Sequence, residues 1–262
     1  TYVHWETGDL GVHDFTTGKV RRLTNKGKES LDFAQGSRVS PDGKHAAYAW
    51  VEDRHDGKVY SLRLIGMDGA NPRILYRDPR EMDYLAPQGW SPDGRQILAI
   101  FRKADQTKQI VLLSVSDGAV RVLQSLGRRS LSKACFSPDG RYVVYDAPPR
   151  VDAEQNDLFV LSVESGLETP LVQHPANDKL LGWAPDGKRI LFLSDRSGTR
   201  DAWLIQVAEG KPQGTPALVS AGLERLKPIG FARNGSYFFG IENAVNDLYV
   251  ATVDLTAGKV VS

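Results

Sequence analysis

Apolar residues come along this chain in short blocks of strand length. Gln96-Ile97-Leu98-Ala99-Ile100-Phe101 and Arg189-Ile190-Leu191-Phe192-Leu193 are the plainest, alternating or wholly apolar runs whose length suits a buried strand. Each follows a polar turn that recurs: Ser40-Pro41-Asp42-Gly43, Ser91-Pro92-Asp93-Gly94 and Ser137-Pro138-Asp139-Gly140, with weaker copies at Ala184-Pro185-Asp186-Gly187 and Ala232-Arg233-Asn234-Gly235. The five turns begin 46 to 51 residues apart, a near-constant period that marks a repeat architecture. Pro presets φ, Asp bonds back to its own backbone, and Gly accepts the positive φ that closes the reversal. The motif is therefore a strand connector.

The pattern around each turn predicts four strands per repeat. A first strand ends in a bulky residue before the turn, at Val39, Trp90, Phe136, Trp183 or Phe231, and the apolar run after the turn is the second. Asp157-Leu158-Phe159-Val160, Asp201-Ala202-Trp203-Leu204 and Asp247-Leu248-Tyr249-Val250 mark a third, with looser versions at Val59 to Leu64 and Gln109 to Leu113. Reversals at Asp68-Gly69, Asp117-Gly118, Ser165-Gly166, Glu209-Gly210 and Ala257-Gly258 lead into a short fourth, such as Val120-Arg121-Val122-Leu123. Asp9-Leu10-Gly11-Val12 carries the third-strand signature with no turn before it, so the chain holds the last three strands of one repeat and five complete ones.

Four strands in about 47 residues is the propeller class of repeat. The expected fold is an all-β propeller of about six blades in a single domain: a partial blade at 1–26, then blades at approximately 27–77, 78–125, 126–173, 174–220 and 221–262. The alternative is a fragment of a longer propeller. The chain opens at Thr1 without an initiator Met, which reads as a processed, excised or fragmentary sequence.

Composition narrows function mainly by exclusion. Hydrophobic residues at 41%, charged residues at 25% and a net charge of +1 give no global attraction to nucleic acid or acidic membranes, so recognition must be local. No apolar run approaches a membrane span and no charged-then-apolar leader opens the chain. The lone Cys135 excludes an internal disulfide and reads, between Ala134 and Phe136, as a small buried core residue.

The Ser-Pro-Asp-Gly turn followed by Lys44, Arg95 or Arg141 and an apolar strand, then Asp-Leu-x-Val, resembles the WD-repeat-like propeller repeats of TolB across nearly the whole chain. The same repeats occur in propellers attached to tricorn-type and prolyl-oligopeptidase-type proteases and in bacterial sensor proteins. The resemblance implies a bacterial, often periplasmic setting and a scaffold that binds partners instead of performing chemistry. It is specific for fold and poor for activity.

Variable loops on a rigid scaffold are where binding usually resides. The repetitive turns share one face of the expected propeller; the longer loops, including Val51 to Lys58 and Ala147 to Asn156, share the other. That face carries Arg77, Arg80, Arg128, Arg129, Lys133, Lys179, Arg225 and Lys227, a candidate cationic funnel at the channel mouth for acidic groups of a protein or peptide. Asp78, Glu81, Asp83, Asp178 and Glu224 share the same loops, so a mixed solvated surface is the competing reading.

No metal, cofactor or catalytic constellation is expected. His4, His13, His45, His55 and His174 lack zinc-ligand spacing. The Arg150 to Asp157 loop has alternate oxygen side chains but no glycine for a calcium loop. There is no Gly-x-Ser-x-Gly elbow and no phosphate-binding Gly-x-x-x-x-Gly-Lys. Trp5, Trp50, Trp90, Trp183 and Trp203 fall in predicted strands and read as core, not as platforms for nucleic acid or sugar, and the sequon at Asn234 is accounted for by its turn. The reading is thus a non-catalytic protein- or peptide-binding scaffold. The alternatives are the substrate-gating propeller of a serine peptidase and a channel-site enzyme such as a polysaccharide lyase.

Overall fold

The structure, a computed structural model, describes residues 1–4, 6–14, 17–26, 30–232, 234–241, 253–254 and 259–260. A three-stranded sheet comes first, β1 (Tyr2–Val3), β2 (Leu10–His13) and β3 (Val20–Arg22). Four antiparallel four-stranded sheets follow, each paired in chain order. They are β4 (Phe33–Val39), β5 (His45–Arg54), β6 (Gly57–Gly66) and β7 (Arg73–Arg77); β8 (Met82–Trp90), β9 (Gln96–Lys103), β10 (Lys108–Ser114) and β11 (Val120–Gly127); β12 (Ala134–Phe136), β13 (Tyr142–Ala147), β14 (Asp157–Ser162) and β15 (Glu168–Val172); and β16 (Lys179–Trp183), β17 (Arg189–Ser194), β18 (Asp201–Ala208) and β19 (Lys211–Ser220). The last repeat shows β20 (Leu226–Phe231) paired with β21 (Tyr237–Ile241), and β22 (Val253–Asp254) with β23 (Lys259–Val260). Its signatures Asp247-Leu248-Tyr249-Val250 and Ala257-Gly258 lie outside the described residues, as do Trp5 and Arg233.

First strands of successive sheets lie side by side, β4 by β8, β8 by β12, β12 by β16 and β16 by β20. This is the radial arrangement of an all-β propeller. Val39, Trp90, Phe136, Trp183 and Phe231 are each the last residue of a first strand.

The core is the set of seams between blades, which explains the apolar runs. Side chains alternate across a strand, and the central strands are covered on both sides. In β5, Ala47, Ala49 and Val51 pack against the next blade, while Ala46, Tyr48 and Trp50 pack against the preceding one. In β9, Ile97, Ala99 and Phe101 face backward and Leu98 faces forward. Burial of a large apolar side chain stabilises by about 1.5–3 kcal/mol, so these two-faced strands are the main source of cohesion.

The repeated turn is built as its residues dictate. In the three full copies Ser Oγ donates to Asp Oδ1 and accepts the amide five residues on, while Asp Oδ1 accepts the amide two residues on at 3.0 Å. Gly43, Gly94 and Gly140 hold φ of 72° to 75°, the left-handed region glycine tolerates. The Ala184 copy keeps the Asp186 bond to Lys188 N at 2.9 Å without the hydroxyl. Ser91→Ala should therefore cost only about 1 kcal/mol in chemical denaturation; a loss above about 3 kcal/mol would mean the hydroxyl does more than hold its turn.

Two further ties recur. The aspartate opening a third strand is buried and pins the segment leaving the fourth: Asp9 accepts Lys26 N at 3.1 Å, Asp157 accepts His174 N at 3.4 Å and Asp201 accepts Gly222 N at 2.8 Å. An arginine in the fourth strand, or opening it, donates to a carbonyl of the next blade, Arg21 to Met67, Arg73 to Val115 and Arg121 to Val163.

One expected loop is absent. Val51 to Lys58 continues the ladder, with Asp53 opposite Lys58 and Arg54 opposite Gly57, so only His55 and Asp56 turn. Gly57, at φ 120°, permits that tight reversal and lets the strands run on.

Candidate functional site

The first strands line a central channel of about 910 Å³. Its wall carries both charged and apolar side chains. Arg38 on β4, Lys133 just before β12, Lys179 on β16 and Arg200 just before β18 supply four cations, while Leu181, Leu193, Leu226, Pro228, Ile229 and Phe231 are its aliphatic and aromatic members.

Two of these cations are held by bonds across the blade seams. Arg38 Nε donates to the Gln88 carbonyl at 2.8 Å, and Trp90 Nε1 returns a bond to the Arg38 carbonyl at 2.9 Å. Lys133 Nζ donates to the Leu181 carbonyl of the following blade. Burial lowers the pKa of both Arg38 and Lys133, because removing either cation from water disfavours its charged form.

Among the described residues lining the channel, Asp146 supplies the carboxylate. Asp146, 1% exposed, accepts Ser132 Oγ at 2.7 Å, Lys133 N at 2.9 Å and Leu180 N at 3.1 Å, tying its own blade to the next. Burial raises its pKa, opposed by those three donors. Cys135, half-buried, lines the same wall and also packs against the core seam around Val144, Leu180 and Trp183. Burial raises its thiol pKa and the neighbouring Lys133 ammonium opposes the shift.

The eight cations anticipated for a funnel divide by their partners. Lys133 and Lys179 line the channel. Arg77 pairs with Glu52 at 2.7 Å in a cluster that also holds Arg54 and Arg63. Arg80, at φ 74° in a region a long side chain seldom occupies, pairs with Asp56 at 2.7 Å. Arg128 donates to the Asp105 carbonyl at 3.2 Å. Arg129 lies over the Phe159 ring and 3.5 Å from Glu168. Arg225 and Lys227 are exposed at the start of the last described blade. Arg38 and Arg200 were missed by sequence reasoning. The signal for Arg38 was its place in a first strand one residue before Val39, and for Arg200 its place just before a third-strand aspartate.

Among the described residues no three His, Cys, Asp or Glu side chains group as a metal site would require, and no helix is long and apolar enough to cross a membrane. In the Arg150 to Asp157 loop, Arg150 pairs with Asp152 at 2.9 Å and Asp157 turns inward to His174 N. Trp50 and Trp183 are buried, and Trp90 and Trp203 are half-buried within their strands.

The profile of the TolB beta propeller domain matches residues 45–260. The chain belongs to the TolB-type propeller family. An uncharacterised protein of Agrobacterium fabrum is 28% identical over 204 residues, which are 76% of this chain and 62% of that protein. The uncharacterised peptidase YuxL of Bacillus subtilis is 26% identical over 196 residues, 75% of this chain and 26% of the peptidase. The crystal structure of TolB from Acinetobacter baumannii superposes with a TM-score of 0.56 at 18% identity, covering 87% of this chain and 51% of that one. This TolB-type propeller thus spans less than two thirds of each.

Proposed function

We propose that this TolB-type propeller is a non-catalytic scaffold that binds a protein or peptide outside the cytoplasm, receiving acidic groups of its partner in the central channel. The supporting observation is the convergence of Arg38, Lys133, Lys179 and Arg200 on one channel whose lining carboxylate, Asp146, is occupied by three donors. Arg225 and Lys227 are exposed beside this channel, and Arg77, Arg80, Arg128 and Arg129 are engaged with neighbours on the loop face. Electrostatic complementarity of this kind steers encounter and selects partners.

The test is fluorescence anisotropy with a labelled glutamate-rich peptide and its glutamine counterpart. The acidic peptide should bind at least about tenfold more tightly at low salt, and the Lys179→Glu, Arg200→Glu double variant should remove that preference. Equal binding of both peptides overturns the reading.

A second reading is the gating propeller of a larger peptidase, favoured by YuxL, of which this chain matches about a quarter. On that reading the same channel would select the acidic or extended segments that pass through it. A hydrolase domain encoded in the same gene would decide for it.

A further inference from the structure

We propose that Lys133 is a carbonyl-reactive amine and that the channel captures a small anionic aldehyde or ketone on it as an imine. This shares the channel with the peptide-binding reading but does not depend on it.

Three observations carry the inference. Lys133 faces a space of about 910 Å³, room for a small molecule. Its ammonium has the Leu181 carbonyl as its hydrogen-bond partner, and among the described residues no carboxylate oxygen lies within ion-pair distance of it. The titratable groups that share its wall are Arg38 on β4, Tyr84 on β8, Cys135 on β12, Asp146 on β13, Lys179 on β16 and Arg200 just before β18. Asp146, the acid among them, directs its oxygens to Ser132 Oγ and to the Lys133 and Leu180 amides.

A lysine becomes nucleophilic when burial or a neighbouring cation disfavours its ammonium form. Both conditions hold here: burial is the largest cause lowering its pKa and Arg38 acts in the same direction, against the opposing influence of Cys135 and Asp146. The surrounding Arg38, Lys179 and Arg200 then define the ligand class, since an anionic group on the carbonyl compound would be held beside the amine.

The chemistry balances without a redox partner. The ammonium loses a proton to solvent, and the nitrogen lone pair adds to the carbonyl carbon. A nitrogen proton passes to the resulting alkoxide. The hydroxyl takes up a second proton and leaves as water as the nitrogen lone pair forms the C=N bond, and the remaining N–H proton is lost to solvent to give the imine. One water is released per imine.

The experiment is reductive trapping on the full chain with pyridoxal 5′-phosphate and sodium borohydride, followed by peptide mapping by mass spectrometry. Lys133 should be labelled at least about tenfold faster than the exposed Lys44 and Lys188. Uncharged propanal should lose that selectivity. Lys133→Arg, which keeps a cation for the Leu181 carbonyl, should remove the label at that peptide while other sites are unchanged. Should the variant misfold, the wild-type map alone decides. Labelling in proportion to exposure, or an unmodified Lys133, overturns the proposal. Equal selectivity with propanal overturns the anionic ligand class.

Discussion

Arg196→Ala should lower the unfolding free energy by about 3–5 kcal/mol, the cost of leaving a buried charge without its partner. Arg196 donates to both oxygens of Asp178, at 3.0 and 3.2 Å, and its guanidinium lies between the Phe192 and Trp203 rings at 5.2 and 5.0 Å. The Asp178 side chain is 0% exposed, so water cannot replace the lost donor. Arg196→Lys keeps the charge but loses the planar fork and the ring stacking, and should fall between wild type and alanine. Urea denaturation measures both. A loss below about 1 kcal/mol would show the pair to be solvent-screened.

This pair also sets the sign of a pH effect. Burial raises the pKa of Asp178, with Ser194 and Arg196 opposing the shift. The folded state therefore holds a proton more tightly than the unfolded chain, whose aspartates titrate near about 3.9, and stability from this group falls as pH rises through the window above that value. Removing Arg196 takes away part of the opposition and extends the window upward. The deficit of the alanine variant should shrink as the solution is acidified from neutrality toward pH 5.

Asp146→Ala should cost about 1–3 kcal/mol, the cost of a buried donor left unsatisfied, which falls on Leu180 N while the more exposed Ser132 and Lys133 can turn to water. Three donors lose their acceptor: Ser132 Oγ, Lys133 N and Leu180 N. Asp146→Asn should recover part of the loss, since its carbonyl oxygen in the Oδ2 position still accepts Ser132 Oγ and Leu180 N while the amide NH₂ faces the Lys133 N donor. Because Leu180 belongs to the next blade, the loss falls on the seam that positions Lys133 and Lys179. Binding of an acidic peptide should weaken in a variant that still folds. Unchanged stability in thermal melts would mean that these donors find other partners.

The fold was legible because its signals are local and repeated. A Ser-Pro-Asp-Gly turn closes by bonds within six residues, and a strand covered on both faces must be apolar at successive positions, so β9 and β17 announce themselves. Where the ladder runs past a predicted loop, as in the β5–β6 hairpin, the sequence carries polar residues that pairing alone keeps extended. The candidate site was legible only in part. Lys133 and Lys179 lie in segments that the repeat register places before or within first strands, but their relation to Arg38 and Arg200 spans more than one blade.

By itself, then, the sequence determined the repeat, its turns, the last residue of each first strand and the all-β propeller, since each depends on interactions between residues close in the chain. Tertiary structure decided which charges matter. Arg77, Arg80 and Arg129 meet Glu52, Asp56 and Glu168 across strands or seams, Asp146 accepts Leu180 N of the neighbouring blade beside two donors of its own, and Cys135 lines the channel while packing against a core seam. A charge is neutralised or left available by what lies within a few ångströms in space, and the curvature of successive blades brings those partners together from positions tens of residues apart.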